Sequence, residues 1–345
     1  MSRWTVVLAG GIGSRFWPLS TASRPKQLLP LVSSRPLLRE AVDRVLPLSG
    51  AEHVLILTNA SLVDQIAKLL PEIPSSNIVA EPKPAGTAAA LTWAALEIER
   101  RDGADATMIS IHADWAIADE QRFRNVLLVA DDVARKTRAL VTVGVVPDRA
   151  DVGYGYIEPA EKNSARGVSV KRFVEKPDRA RALDFVRQGY LWNSGIFVWR
   201  VGDFLAEVSA LTTEISPALS GESRSSLEKF FARVRPISVD NGVLERSKKV
   251  MVVSADFGWD DIGTWPALRR ARAVDSHGNS VTGSAHLLDA KNNVVHTESG
   301  TVVMYGVSNL VVVAKDGVTL VTTADKAADL KSLVDSLPAD LRAES

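Results

Sequence analysis

The chain contains no cysteine. Disulfides, thiolate nucleophiles and Cys-ligated zinc or iron–sulfur centres are therefore excluded, and the absence fits a reducing cytoplasm. Net charge is missing too: 41 Lys and Arg balance 41 Asp and Glu over 345 residues. No global basic field draws nucleic acid or an anionic membrane, so an anionic ligand must be held by a local site. No apolar stretch approaches the length of a membrane span. The run from Met1 to Gly10, with one basic residue and a short apolar core, reads as a buried strand rather than a signal peptide.

The length exceeds one ordinary compact core, so a large domain with a smaller one is expected. Apolar β-rich runs at Trp4–Ala9, His53–Leu57, Asn77–Ala80, Ala106–Ile111 and Ala139–Val145 alternate with helical patterns at Pro36–Leu46, Leu62–Leu70, Thr87–Arg101 and Gln121–Lys136. This alternation predicts the α/β class: a Rossmann-like mixed or parallel sheet with helices on both faces. Ligands on such sheets bind beyond the carboxyl ends of the strands. Further strands are predicted near Tyr154–Glu158, Gly167–Val174 and Leu191–Trp199, and Pro177 and Gly189 bracket a helix. From Asn279 to Thr323 short β-runs are punctuated by Asn, Asp and Gly, which predicts a small β-solenoid-like unit of loose period. An amphipathic helix over Ala324–Leu337 closes the chain. The expected domains are 1–274 and 275–345.

The first strand runs into Gly10-Gly11-Ile12-Gly13-Ser14-Arg15. Such glycines permit a turn whose backbone N–H groups cradle phosphate. Phe16 stands where a dinucleotide fingerprint needs a small residue, and no Gly-Lys-Ser/Thr follows, so two named phosphate loops are excluded. On the glycines alone, a plain connecting turn is an equal alternative. The continuation is Phe16-Trp17-Pro18-Leu19-Ser20, then Pro25-Lys26-Gln27-Leu28-Leu29. The whole string resembles the signature of the sugar-1-phosphate nucleotidyltransferases (sugar-nucleotide pyrophosphorylases), in the version of the mannose-1-phosphate guanylyltransferase branch. Arg15 offers a planar fork and Lys26 a point charge for the phosphates of a nucleoside triphosphate.

Four more stretches resemble family segments. Glu81-Pro82-Lys83-Pro84-Ala85-Gly86-Thr87-Ala88 is similar to the base-pocket segment, with Ala85-Gly86 replacing Arg-Asn; Thr87 is the expected helix N-cap. His112-Ala113-Asp114-Trp115 keeps the family aspartate between altered flanks. Phe173-Val174-Glu175-Lys176-Pro177 resembles the sugar-phosphate element, Gly155 a position where backbone meets sugar, and Asn193 one that holds a hydroxyl. Gly258-Trp259-Asp260-Asp261-Ile262-Gly263 resembles the last motif.

The resemblance implies a site with Arg15 and Lys26 catalytic and with Ala9, Gly10, Gly11, Gly13, Ser14, Glu81 and Thr87 on the nucleotide. Gly155, Glu175, Lys176 and Asn193 would meet the sugar phosphate. Asp114 and Asp261 would hold Mg²⁺, with Asp260 as the neighbouring alternative to Asp261. It implies GTP and mannose 1-phosphate as substrates, a left-handed β-helix-like tail, a homodimer formed through that tail, and the short form without room for a fused isomerase domain. His112 is expected to be structural, because the family lacks it. Two alternatives stay open: the same transfer with another nucleotide or with manno-heptose or glucose 1-phosphate, and a catalytically silent, sugar-nucleotide-binding regulatory paralogue.

Overall fold

The computed structural model describes residues 2–11, 13–161, 166–338 and 341, with Ser14 described in its backbone alone. In chain order come β1 (Arg3–Leu8), α1 (Leu37–Ser49), β2 (Val54–Asn59), α2 (Val63–Leu69), β3 (Ile78–Glu81), α3 (Gly86–Asp102), β4 (Thr107–His112), β5 (Trp115–Ile117), α4 (Glu120–Thr137) and β6 (Leu140–Val145). Next are β7 (Tyr156–Pro159), β8 (Val168–Val174), α5 (Arg179–Gln188), β9 (Leu191–Arg200), α6 (Val201–Leu211), α7 (Leu227–Arg233), β10 (Val250–Ala255), β11 (Trp259–Asp261) and α8 (Trp265–Ala271). The last are β12 (Ser280–Leu288), β13 (Val294–Tyr305), β14 (Leu310–Lys315), β15 (Val318–Thr323) and α9 (Lys331–Ser336). Two compact units alternate along the chain: residues 1–10, 42–112 and 119–259, and residues 11–41, 113–118 and 260–345.

The first unit is built on a nine-stranded sheet of order β3-β2-β1-β4-β9-β6-β10-β8-β7. β1 runs parallel to β2 and β4, and β2 parallel to β3. β9 enters antiparallel between β4 and β6, so the sheet is mixed and β4 and β6 are not neighbours. The composition of β9 explains its place: most of LWNSGIFVWR is buried, the pattern of a strand covered on both faces, which carries no signal of direction. β7 pairs with β9 as well as with β8, so β9, β6, β10, β8 and β7 close into a small barrel. Over the sheet lies α3, whose alanines at 88, 89, 90, 94 and 95 are buried and let the helix approach α6 closely. Stacking of Trp199 on Phe204, with ring centroids 4.3 Å apart, fixes the start of α6 in the same core.

The second unit carries a four-stranded sheet, β12-β13-β14-β15. The first three strands are parallel, and β15 returns antiparallel through Asp316 and Gly317, both at positive φ, as a tight hairpin turn requires. Stacked asparagines hold the coils. Asn279 Oδ1 accepts from the Asn293 backbone, 14 residues on, and Asn293 Oδ1 accepts from Leu310 N, 17 residues on. Unequal coils are why no single period is visible in the sequence. The closing helix differs from expectation: a 3₁₀ turn, Lys326–Asp329, precedes the short α9. Ala327 and Leu330 are both buried, and a three-residue spacing brings them onto one side in a 3₁₀ turn. Beneath them lie Phe16, Trp17, Leu19, Ile262 and Trp265. Among the described residues, no helix is long and apolar enough to cross a membrane.

Candidate active site

In the second unit the signature string divides by polarity. Phe16 is fully buried against Trp265, ring centroids 5.1 Å apart, and Leu19 and Leu29 join the same core. These anchors fix the loop from which the polar residues project. Gly13 has φ +70°, and a Cβ placed there would collide with the Lys26 Cβ, so this position requires glycine. Its carbonyl accepts from Phe16 N at 3.0 Å and from Ser20 Oγ at 2.7 Å. Gly11, by contrast, is exposed, and a Cβ there would meet nothing within 4 Å among the described residues, so packing does not demand it. Ser14 opens the 3₁₀ turn that carries Arg15; its side chain lies outside the described residues.

Lys26 is the electrostatic centre. Its side chain is 6% exposed, and its Nζ lies 2.8 Å from Asp114 Oδ2 and 3.8 Å from Asp261 Oδ1. Asp114 immediately precedes β5, and Asp261 ends β11, the strand paired with β5. Strand pairing thus brings two carboxylates, far apart in sequence, to one ammonium. A buried ammonium is tolerated only with such compensation. Arg15, Lys26, Asp114 and Asp261 line one cavity of about 540 Å³, together with Gly13 and Gly263 and with Asp329 and Lys331 from the closing segment. Arg15 is exposed, with Nη1 beside Gly263. Asp260, the neighbouring alternative, is instead held by both nitrogens of a fork from Arg270, at 2.6 and 2.9 Å, and is 7% exposed.

Among the described residues, no cluster of three or more His, Cys, Asp or Glu could hold a metal ion. The Asp114–Asp261 pair supplies oxygen donors only. That set fits Mg²⁺, which takes one or two carboxylates and completes its shell with water and substrate phosphates.

The other residues expected on the nucleotide, Ala9, Gly10, Glu81 and Thr87, lie in the first unit. Ala9 is buried, its N donating to Leu57 O at 2.8 Å and its O accepting from Thr58 Oγ1 at 3.1 Å. Gly10 is exposed beside Glu81 Oε1. Burial pushes the Glu81 carboxyl up to about 7, because desolvation disfavours its charged form. Thr87 is not the N-cap. The helix starts at Gly86 with Ala85 before it, and Thr87 Oγ1 accepts from Val239 N at 2.9 Å. Gly86 has φ +79°, and a Cβ there would strike the Ile237 carbonyl. The Ala85-Gly86 departure therefore has a packing cause: Ile237 N donates to Ala85 O, and Ala88 N donates to Ile237 O.

Of the residues expected to meet the sugar phosphate, Gly155, Glu175 and Asn193 line one narrow recess of the first unit, and Lys176 is not part of that lining. A Cβ on Gly155 would lie 2.8 Å from Glu175 Oε2, so glycine keeps this carboxylate close. β8 ends at Val174, and Lys176, with φ 40°, turns back to place its Nζ 3.0 Å from Glu175 Oε1. Positive φ at a lysine is uncommon and marks a constrained residue. Asn193 lies inside β9, at a register shift where Gly144 faces Asn193 and Val143 faces Ile196. Such a bulge re-aims a side chain. The Asn193 amide donates to Asp240 Oδ1 at 2.8 Å. Asp240 also lines the recess, and burial raises its carboxyl above the usual aspartate range. Sequence reasoning missed Asp240, because Asp-Asn-Gly looks like any turn; here it opens a π-helical turn, a feature frequent at functional sites. It also missed Asp329 and Lys331, which no motif marks.

Comparison with known proteins supplies the class, that of the nucleotidyl-transferring enzymes. The chain belongs to the nucleotidyl transferase family, whose model matches residues 4–277; residues 278–337 match the mannose-phosphate isomerase/GMP-like β-helix domain. It is 34% identical to a mannose-1-phosphate guanylyltransferase of Escherichia coli, over 98% of this chain and 74% of that protein. It is 35% identical to the xanthan biosynthesis protein XanB of Xanthomonas campestris, over 99% of this chain and 74% of that one. Among solved structures, a mannose-1-phosphate geranyltransferase of Thermus thermophilus superposes with a TM-score of 0.87 at 32% identity, covering 97% of this chain and 99% of the other.

Proposed function

We propose that the protein transfers GMP from GTP to α-D-mannose 1-phosphate, giving GDP-mannose and pyrophosphate with Mg²⁺. The observation that carries this reading is the cavity in which Lys26 bridges Asp114 and Asp261 beside Arg15. The names of the full-length relatives supply the substrate pair. An oxygen of the sugar phosphate attacks the α-phosphorus in line, and the bond to the bridging oxygen breaks with its electrons leaving on pyrophosphate. The attacking oxygen is already ionised at neutral pH, so no general base is needed. Arg15 and Lys26 neutralise the charge that gathers on the nonbridging oxygens. The glycine loop, with Ala9, Gly10, Gly11, Gly13 and Ser14, shapes the approach to the phosphates, and Glu81 and Thr87 flank the base. Asp114 and Asp261 would hold Mg²⁺, whose chemistry when bound is to screen the phosphate charge as a Lewis acid. The backbone at Gly155 meets the sugar, Glu175 and Asn193 meet its hydroxyls, and Lys176 meets its phosphate. With this reading go a cytoplasmic location, a folding boundary between 274 and 275, a left-handed β-helix tail and self-association through that tail.

The test is pyrophosphate release from GTP with mannose 1-phosphate and Mg²⁺, with ATP, UTP and dTTP in parallel. Release with GTP supports the reading. Release with another nucleotide keeps the mechanism and overturns the base, a reading the Ala85-Gly86 departure favours. Absence of release with every nucleotide, and with manno-heptose or glucose 1-phosphate, would leave the silent binding paralogue.

A further inference from the structure

We propose that the closing segment of the chain completes the phosphate site, with Lys331 binding the polyphosphate chain of the nucleotide and the pyrophosphate it becomes. The proposal rests on the transfer reading above and adds a residue that no motif assigns.

Ala327 and Leu330 are buried in the core built from Phe16, Leu19, Ile262 and Trp265. The tail is therefore fixed to the same residues that fix the phosphate loop. Pinning those two positions leaves Asp329 and Lys331 on the open side, where both are exposed and line the cavity with Arg15, Lys26, Asp114 and Asp261. The charges of that lining are not equivalent. Lys26 is engaged by two aspartates. Among the described residues, Arg15 and Lys331 have no hydrogen bond or ion pair with another side chain, while Asp329 accepts at most a long bond of 3.5 Å from Ser332. Two cations without a carboxylate partner, beside the exposed Asp329, therefore face one cavity of about 540 Å³, far more room than one phosphate needs. A multiply charged chain of phosphates is the ligand class that uses both. A lysine suits this task because its ammonium is a point charge that adapts to several phosphate oxygens.

The test uses the full chain with Lys331→Ala, Lys331→Glu and Lys331→Arg. Binding of inorganic pyrophosphate with Mg²⁺ is measured by calorimetry, and KM for pyrophosphate and for the nucleotide sugar in the reverse reaction. Lys331→Ala should weaken pyrophosphate binding about tenfold, the equivalent of about 1.4 kcal/mol. Lys331→Glu should weaken it further, and Lys331→Arg should stay within about threefold of the parent, with KM for the nucleotide sugar nearly unchanged in all three. Pyrophosphate binding that is equally tight in the parent, Lys331→Ala and Lys331→Glu overturns the proposal. Calorimetry separates this outcome from failure of the transfer reading: a parent chain that turns over no nucleotide sinks that reading, while its pyrophosphate affinity still decides the role of Lys331. Because Lys331 is exposed, circular dichroism should show all three variants folded; should Lys331→Glu misfold, Lys331→Ala alone decides.

Discussion

Replacing Glu81 by Gln should stabilise the protein at alkaline pH and leave it unchanged in acid. Glu81 ends β3, and its carboxyl has no hydrogen bond or ion pair among the described residues; burial alone raises it from 4.5 to about 7. Between those values the native chain keeps a proton that the unfolded chain has released, so stability falls as pH rises through the window. Below pH 4.5 both states are protonated and the contribution is whole; above about 7 it is gone. A shift from 4.5 to about 7 corresponds to about 3 kcal/mol at 1.36 kcal/mol per pH unit. Glutamine is nearly isosteric and never ionises, so Glu81→Gln should gain up to about 3 kcal/mol at pH 8.5 and nothing at pH 4.5. Urea unfolding at both pH values, followed by circular dichroism, measures the difference. Equal stability of parent and variant at pH 8.5 would refute the reasoning, because it would mean that water or a cation already reaches the carboxylate.

Lys26→Ala and Asp261→Ala should each lower turnover by about 10²–10³ while the far-ultraviolet spectrum stays native. Loss of activity only together with loss of helical signal would remove both residues from the chemistry. Gly86→Ala should lose about 1–3 kcal/mol in urea unfolding, because it combines a left-handed backbone with a collision at the Ile237 carbonyl. The same variant should raise KM for the sugar phosphate, and an unchanged unfolding midpoint would contradict it.

Strands β1 to β4 and β6 and the helices between them were legible because continuous apolar runs for strands alternate with longer helical patterns. The direction of β9 was not, since a strand buried on both faces has no polar side to orient it. The polar residues around Lys26 could be named from the signature, yet their meeting depends on the pairing of β5 with β11, which short runs of three residues do not announce. Thr87 illustrates the limit of capping rules: its hydroxyl serves Val239, 152 positions away, and no local pattern carries that. Asp240 and Lys331 were invisible for the same reason, because each owes its position to neighbours brought together by the fold.

The backbone around Gly86 has a consequence for altering specificity. Residues 85–88 are stitched to Ile237 and Val239 by main-chain and hydroxyl bonds, and the peptide after Val239 leads directly to Asp240, the partner of Asn193. The segment proposed to flank the base and the residue beside the recess proposed to meet the sugar are thus two ends of one short tether. A swap of Ala85-Gly86 toward Arg-Asn would have to push Ile237 aside, and that displacement would be passed to Asp240. Donor and acceptor preference in this chain are therefore expected to change together, so a library that diversifies residues 85–86 should randomise 237–240 alongside them.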